Sequence, residues 1–407
     1  MGTTISGTSG IPWRQRVANQ TTRPLRDGGE IKVKPFLIIL GIVCILGAAA
    51  YFAFHVIHSS PIVVTKLAEG PAGEPELKEI TALAWSADGH VLATVDDNKT
   101  VALWDAARGT NLRALESSPT EWIFAPAFSP DGSLLATASS SQGYNNTQGH
   151  LLFWNPTTGE RLGSVDNILW PQCVSFNPAG TLIAVGGMPA LYLVDPSTKE
   201  IIHQVERAHE NGPIQEVAFS PNGDLLATAG RDGTVKLWQV PELNLVRTFS
   251  VDQSVIGISR LGERPARVVV GSVAFAHHHL RLAASTSEGS VFVWNLDRGQ
   301  QVMRYAYDYS TAIGENYIQA TLENSLSFTS DDRWLLTTDQ RGNGLRLLGA
   351  DSKKNTGDLL TTHTDTPTPM EAVNVSPADG SVAFAYRIFQ PGQDARTKFE
   401  IWKLRLR

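Results

Sequence analysis

The sequence predicts an all-β fold, a seven-bladed β-propeller, preceded by a disordered polar tail and one transmembrane α-helix. Three observations carry this. A strand–turn–strand unit recurs seven times, a third strand follows each copy, and one uncharged run of 22 residues stands near the start. Composition sets the outer limits. The 407-residue chain is 42% hydrophobic and 18% charged, with a net charge of −6, which gives no electrostatic reason to expect nucleic acid. Its two cysteines, Cys44 and Cys173, fall in an apolar run and a strand. They offer neither a disulfide framework nor a cysteine metal site.

The first 34 residues are polar and rich in Gly, Thr and Arg, without amphipathic period. Residues 35–58 form the expected signal anchor around Phe36–Ile57, "FLIILGIVCILGAAAYFAFHVI". As a helix this run spans about 33 Å, enough for a hydrocarbon core of about 30 Å. Arg14, Arg16, Arg23, Arg26, Lys32 and Lys34 precede it against only Asp27 and Glu30, and no such excess follows. The positive-inside rule therefore places the tail in the cytoplasm and the rest across the membrane, periplasmic or lumenal/extracellular. Ala48–Ala50 also offer a signal-peptidase site, but the apolar run continues through Ile57 and the basic region before it is long. The start "MGTTIS" matches a myristoylation pattern at Gly2 and Ser6, a short pattern that is common by chance.

The remainder repeats. "VAFSPNGDLLATAG" from Val217 is an apolar strand, a polar turn and a second apolar strand. Copies begin at Leu83, Pro126, Val174 and Val273, with weaker ones at Leu326 and Val373. Their anchors, Trp85, Phe128, Phe176, Phe219, Phe275, Phe328 and Val375, are spaced 43 to 56 residues apart. A third strand follows each ("TVALWD", "HLLFWN", "ALYLVD", "TVKLWQ", "SVFVWN", "GLRLLG", "KFEIWK"), usually with a turn and a fourth apolar stretch after it. Short meanders with Gly, Pro and Asp at their turns cannot bury both faces alone, and radial stacking covers them. The propeller is expected over residues 61–407. The last unit has three strands, and the unpartnered stretch 62–67 is expected to complete it, removing two sheet edges.

These units resemble WD repeats from about residue 62 to the C-terminus. The fullest copy is "AHENGPIQEVAFSPNGDLLATAGRDGTVKLWQV" in blade 4. The resemblance implies a structural hydrogen-bonded chain through His209, Thr228, Asp232 and Trp238. Asn98 and Glu288 replace the Asp in blades 1 and 5, and Val194 and Leu348 replace the Trp in blades 3 and 6. By the same resemblance, turns between first and second strands open on the lower face. Second-to-third turns and links between blades open on the upper face, and the closing strand puts the lower face toward the membrane.

Aligning Val217 with Val273 puts His277, His278 and His279 in a lower-face turn, where successive side chains diverge. A turn, rather than a metal site, is expected there. Long insertions fall at 139–149, 250–267, 305–324 and 387–398, all on the implied upper face. Candidate partner-binding residues on that face are Tyr144, Arg231, Tyr305, Tyr307, Tyr309, Tyr317, Phe389 and Arg396, because aromatic and arginine side chains are favoured at interfaces. No HExxH, G-x-S-x-G, phosphate-binding glycine loop or Cys pair is present. The expectation is a membrane-anchored, non-enzymatic scaffold that binds a protein partner through upper-face loops. No catalytic residue, metal, cofactor, nucleic acid or small-molecule substrate is expected. The alternatives are a propeller enzyme with a site at the axial mouth and a cytosol-facing trafficking adaptor tethered to the membrane.

Overall fold

The computed structural model describes residues 62–70, 80–96, 100–115, 121–141, 148–210, 212–251, 268–287, 289–305, 326–338, 344–351, 355–361, 370–388 and 396–406. The tail at 1–34 and the helix expected at 35–58 lie outside them. No helix long and apolar enough to cross a membrane occurs among the described residues.

Seven four-stranded antiparallel sheets make up the described fold. Blade 1 is Ile80–Trp85, Val91–Asp96, Val101–Asp105 and Thr110–Leu115; blade 2 is Glu121–Phe128, Leu135–Ser141, Gln148–Trp154 and Arg161–Leu169. Blade 3 is Cys173–Phe176, Ile183–Gly186, Leu191–Asp195 and Glu200–Val205; blade 4 is Ile214–Phe219, Leu225–Gly230, Thr234–Gln239 and Asn244–Ser250. Blade 5 is Val270–Phe275, Arg281–Thr286, Val291–Asn295 and Gln300–Tyr305; blade 6 is Leu326–Phe328, Trp334–Thr338, Gly344–Gly349 and Asn355–Thr361. Blade 7 is Met370–Val375, Ser381–Ile388 and Arg396–Leu406, completed by Ile62–Gly70. First strands contact first strands from blade 1 through blade 7 and back to blade 1, so the ring is closed.

The closing strand pairs antiparallel with Arg396–Leu406, from Ile62 opposite Leu406 to Gly70 opposite Phe399. It runs three residues beyond the expected 62–67, with a register shift between Lys66 and Ala68. Beside this shift Lys66 reaches both Glu69 and Glu400, the latter at 2.8 Å.

Each apolar cluster fills the seam between two neighbouring blades. Trp104 of blade 1 meets Phe399 of blade 7 edge-on at 5.0 Å, and Phe219 and Trp238 of blade 4 join Leu191 and Leu193 of blade 3. The second strands are therefore covered on both faces. That is why "LLATAG" is buried continuously from Leu226 to Gly230 rather than alternating. Fourth strands are half solvated, and Thr110–Leu115 alternates accordingly. A register shift recurs at the tryptophan of the third strand, Leu103/Trp104 in blade 1 and Leu237/Trp238 in blade 4. Such a bulge increases local twist.

Two of the expected insertions are shorter than the sequence implies. Ser139 pairs with His150 and Ser140 with Gly149, leaving 142–147 beyond the ladder. Tyr386, Arg387 and Ile388 pair with Lys398, Thr397 and Arg396, leaving 389–395. Ser139, Ser140 and Thr397 in these extra rungs are polar yet buried, so they carry no alternating hydrophobic signal. Most of the other two insertions, 252–267 and 306–325, lies outside the described residues.

Candidate functional site

The two ends of the ring differ in construction. Turns between first and second strands form one face. They follow a common plan in which Ser86, Ser129 and Ser220 hydroxyls donate to Asp88, Asp131 and Asn222. Neighbouring turns touch: a side chain at Gly223 would meet Pro178, and one at Gly180 would meet Pro130. His277–His279 occupy this turn in blade 5. Their side chains do not simply diverge, as turn geometry alone suggests. The Nδ1 atoms of His277 and His279 lie 3.1 and 3.0 Å from Asp332 of blade 6, and all three histidine backbone amides donate to the same carboxylate. Burial pushes the Asp332 carboxyl up, but these donors outweigh it and hold it down to about 2. Among the described residues no group of three or more His, Cys, Asp and Glu is placed to hold a metal ion.

On the opposite face a cleft of about 600 Å³ opens over blades 3 and 4. Its construction starts from the chain His209–Thr228–Trp238. The Thr228 hydroxyl lies 2.7 Å from His209 Nε2 and accepts the Trp238 indole N–H at 3.0 Å. His209 Nδ1 faces Asp232 at 3.0 Å, and Asp232 also accepts from the Thr234 hydroxyl and the Glu210 amide. Burial would raise Asp232, yet the hydrogen bonds from His209 and Thr234 hold it well below the usual carboxylate range. Gly230 is obligatory here, because a β-carbon would overlap the His209 ring.

This chain fixes the link between the blades. His209 and Ala208 point inward and are fully buried. Lys236 donates to the Ala208 carbonyl at 2.7 Å. Arg207 and Glu210, on either side, are thereby turned outward and exposed. Arg231, next to Asp232, lies across Gly212: a β-carbon at Gly212 would stand 2.9 Å from Arg231 Cβ and 3.2 Å from its Cδ. The other wall comes from blades 2 and 3. The Met188 amide donates to the Leu169 carbonyl at 3.1 Å, bringing Met188, 45% exposed, beside Trp170. Pro189 and Pro213 complete an apolar lining under the Arg207 and Arg231 side chains.

Of the sequence-derived candidates for partner binding, Arg231 lines this cleft. Tyr305 ends the fourth strand of blade 5, and its hydroxyl accepts from Arg346 at 2.8 Å while the guanidinium lies over its ring. Its polar edge therefore faces the seam between blades 5 and 6. Tyr144, Tyr307, Tyr309, Tyr317 and Phe389 lie outside the described residues, as does the side chain of Arg396. Sequence reasoning did not select Trp170, Met188 or Arg207. The available signal was a Trp-Pro pair and a Met-Pro pair in short links, where an apolar residue has no strand period to serve.

The blade 4 chain recurs in reduced form, with Trp104 donating to Thr94 at 3.0 Å and Trp154 to Thr137 at 2.9 Å. Asn98 and Glu288 lie outside the described residues. Seven four-stranded blades, three of them with this Trp–Thr bond, define a propeller of WD-repeat type. Comparison with known proteins supports this. Residues 200–239 match the WD domain, G-beta repeat family, and residues 64–128 match the Anaphase-promoting complex subunit 4 WD40 domain. The serine-threonine kinase receptor-associated protein of Gallus gallus is 30% identical over 175 residues, 42% of this chain and 46% of that protein. Its Mus musculus counterpart is 27% identical over 227 residues, 54% of this chain and 60% of that protein. The APC/C activator protein CDC20 of Saccharomyces cerevisiae is 28% identical over 174 residues, 40% of this chain and 28% of that protein. The alignments thus span 28% to 60% of these relatives' lengths.

Proposed function

We propose that this chain is a membrane-anchored, non-enzymatic scaffold that binds a protein partner through the face bearing the blade 3–4 cleft. The observation that carries the reading is the cleft itself, where exposed Met188 and half-buried Trp170, Pro189 and Pro213 lie beside outward-turned arginines on a framework locked by the His209–Asp232 chain. Contiguous apolar surface rimmed by polar groups is characteristic of interaction sites. One relative is named for its association with a receptor and another as an activator of APC/C, which supports an interaction role. Anchoring rests on the uncharged run Phe36–Ile57, and the extracytoplasmic placement of the propeller rests on the basic residues that precede it.

Affinity purification of the full-length protein from mildly crosslinked membranes tests the scaffold reading, beside a version lacking both 306–324 and 389–395 and a Trp170→Ala, Met188→Ala version. A stoichiometric protein partner is expected with the parent and lost in at least one version. Retention of the partner in both versions, or recovery of a bound small molecule and no protein, would overturn the reading. Protease treatment of sealed vesicles tests sidedness. The propeller should be protected when the cytoplasmic surface faces outward, and digestion there would place it in the cytosol.

A further inference from the structure

We propose that the blade 3–4 cleft recognises an acidic peptide segment. A carboxylate is held by Arg207 and Arg231, and a neighbouring large apolar side chain lies on Trp170 and Met188. This rests on the reading that the upper face binds protein, and it specifies the partner's chemistry.

The first argument is the state of the arginines. Several guanidiniums elsewhere are committed: Arg108 to Asp105 at 2.6 Å, Arg281 to Asp351 at 2.7 Å, and Arg346 to the Tyr305 hydroxyl. Among the described residues neither Arg207 nor Arg231 has a side-chain hydrogen bond or ion pair, although both border one cleft. Glu210 shares that border without pairing to either. Two guanidiniums with unspent donors match a carboxylate, which accepts paired N–H bonds in the plane of the group.

The second argument is preorganisation. The Arg231 stem rests on Gly212, whose φ of 142° and missing β-carbon admit it. Arg207 precedes Ala208, whose carbonyl is tied to Lys236. The arginines therefore stand on backbone that is already fixed, so less ordering entropy opposes binding.

The third argument is the lining and shape. Trp170, Met188 and the two prolines give an apolar wall beside the charges, and the cleft is open along its rim. A segment of extended chain, advancing about 3.3 Å per residue, can enter and leave it while presenting one acidic and one apolar residue. A polyanion is disfavoured, because the net charge of −6 leaves no broad positive field and Glu210 repels a second negative group.

The test uses the full-length protein in detergent micelles and a phage-displayed library of random dodecapeptides. Enriched peptides are measured by fluorescence polarisation against the parent, Arg207→Glu, Arg231→Glu and the double reversal. Thermal melts verify folding, and Arg207→Gln and Arg231→Gln serve as milder variants. Enriched peptides should carry Asp or Glu within about three residues of a large apolar residue. Each reversal should weaken them about tenfold or more, and added salt should weaken them further. The double reversal should prefer Lys- or Arg-bearing peptides. Enrichment of peptides without acidic residues, or equal binding to a folded double reversal, overturns the proposal. The crosslinked partner separates the two readings. Its retention on the double reversal but loss on the loop deletion sinks only the acidic-peptide inference, whereas retention on the double reversal, the loop deletion and the Trp170/Met188 version sinks both.

Discussion

The carboxylate of Asp332 in blade 6 accepts the backbone amide of His278 in blade 5 at 2.6 Å. The same carboxylate takes the amides of His277 and His279 and faces their two Nδ1 atoms, so one buried acid ties two blades at their turns. Asp332→Ala would leave several donors without an acceptor at the seam. The expected loss is about 3 kcal/mol, with a smaller loss for Asp332→Asn. The pH dependence has a definite sign. Because the folded carboxyl is held down to about 2, its contribution is full above the ordinary carboxylate value and disappears as pH falls through about 2. Urea midpoints at neutral pH and in acid check this. The gap between parent and Asp332→Asn should be wide at neutral pH and should shrink in acid, and equal midpoints at neutral pH would show that the contact contributes nothing.

How far the sequence reveals the molecule follows from the range of each contact. Repeat number, strand order and the closing strand were legible because each blade restates one local pattern, from Val217 through Trp238. The histidine run was legible as a turn because Phe219 aligns with Phe275. Its clamp was not, because Asp332 lies 53 to 55 residues away and belongs to a blade whose repeat is weak. The cleft was half hidden for a similar reason. Arg231 follows a recognisable repeat motif, whereas Trp170, Met188 and Arg207 come from a turn and two links that the packing of neighbouring blades brings together.

Within blade 4, Thr228 is the shared partner of His209 and Trp238. Thr228→Val keeps the volume but removes the hydroxyl, leaving an indole N–H and a ring nitrogen unsatisfied at a fully buried position. A loss of about 2–4 kcal/mol is expected. The same variant should loosen the Arg207–Glu210 link and weaken cleft ligands without touching them. Chemical denaturation gives the first quantity and peptide titration the second. Unchanged affinity in the folded variant would show that the chain supports the blade but not the cleft.

Glu216, on the first strand of blade 4, accepts the Val273 amide of blade 5 at 2.8 Å. Burial is the dominant influence and pushes its carboxyl up to about 7, against hydrogen bonds from Ser272 and Val273. A raised carboxyl means that the folded state keeps a proton which the unfolded chain releases. Stability from this group therefore falls as pH rises from the ordinary carboxylate range to about 7, by up to ~3 kcal/mol. Glu216→Gln removes the ionisation and retains an acceptor for Val273. It should match the parent near pH 5 and exceed it near pH 8 in thermal melts. A variant less stable than the parent at both values would mean that the ionised carboxylate is favourable where it stands.

Closure of the ring depends on an edge strand contributed from the far end of the chain. Ile62–Gly70 covers the edge of Arg396–Leu406, and Phe399 of the covered strand packs onto Trp104 of blade 1. Along an edge strand successive amides point alternately toward and away from the partner, so one of Val63 and Val64 must donate into the sheet. Replacing both with proline removes that donor and obstructs the pairing. The expected cost is about 3 kcal/mol, with a melting temperature lower by about 5 °C or more. The uncovered strand should also associate with other copies, which sedimentation at increasing concentration would show as growing oligomers. An unchanged melting temperature with monodisperse sedimentation would mean that the ring is held by its seven apolar seams and not by its closing strand.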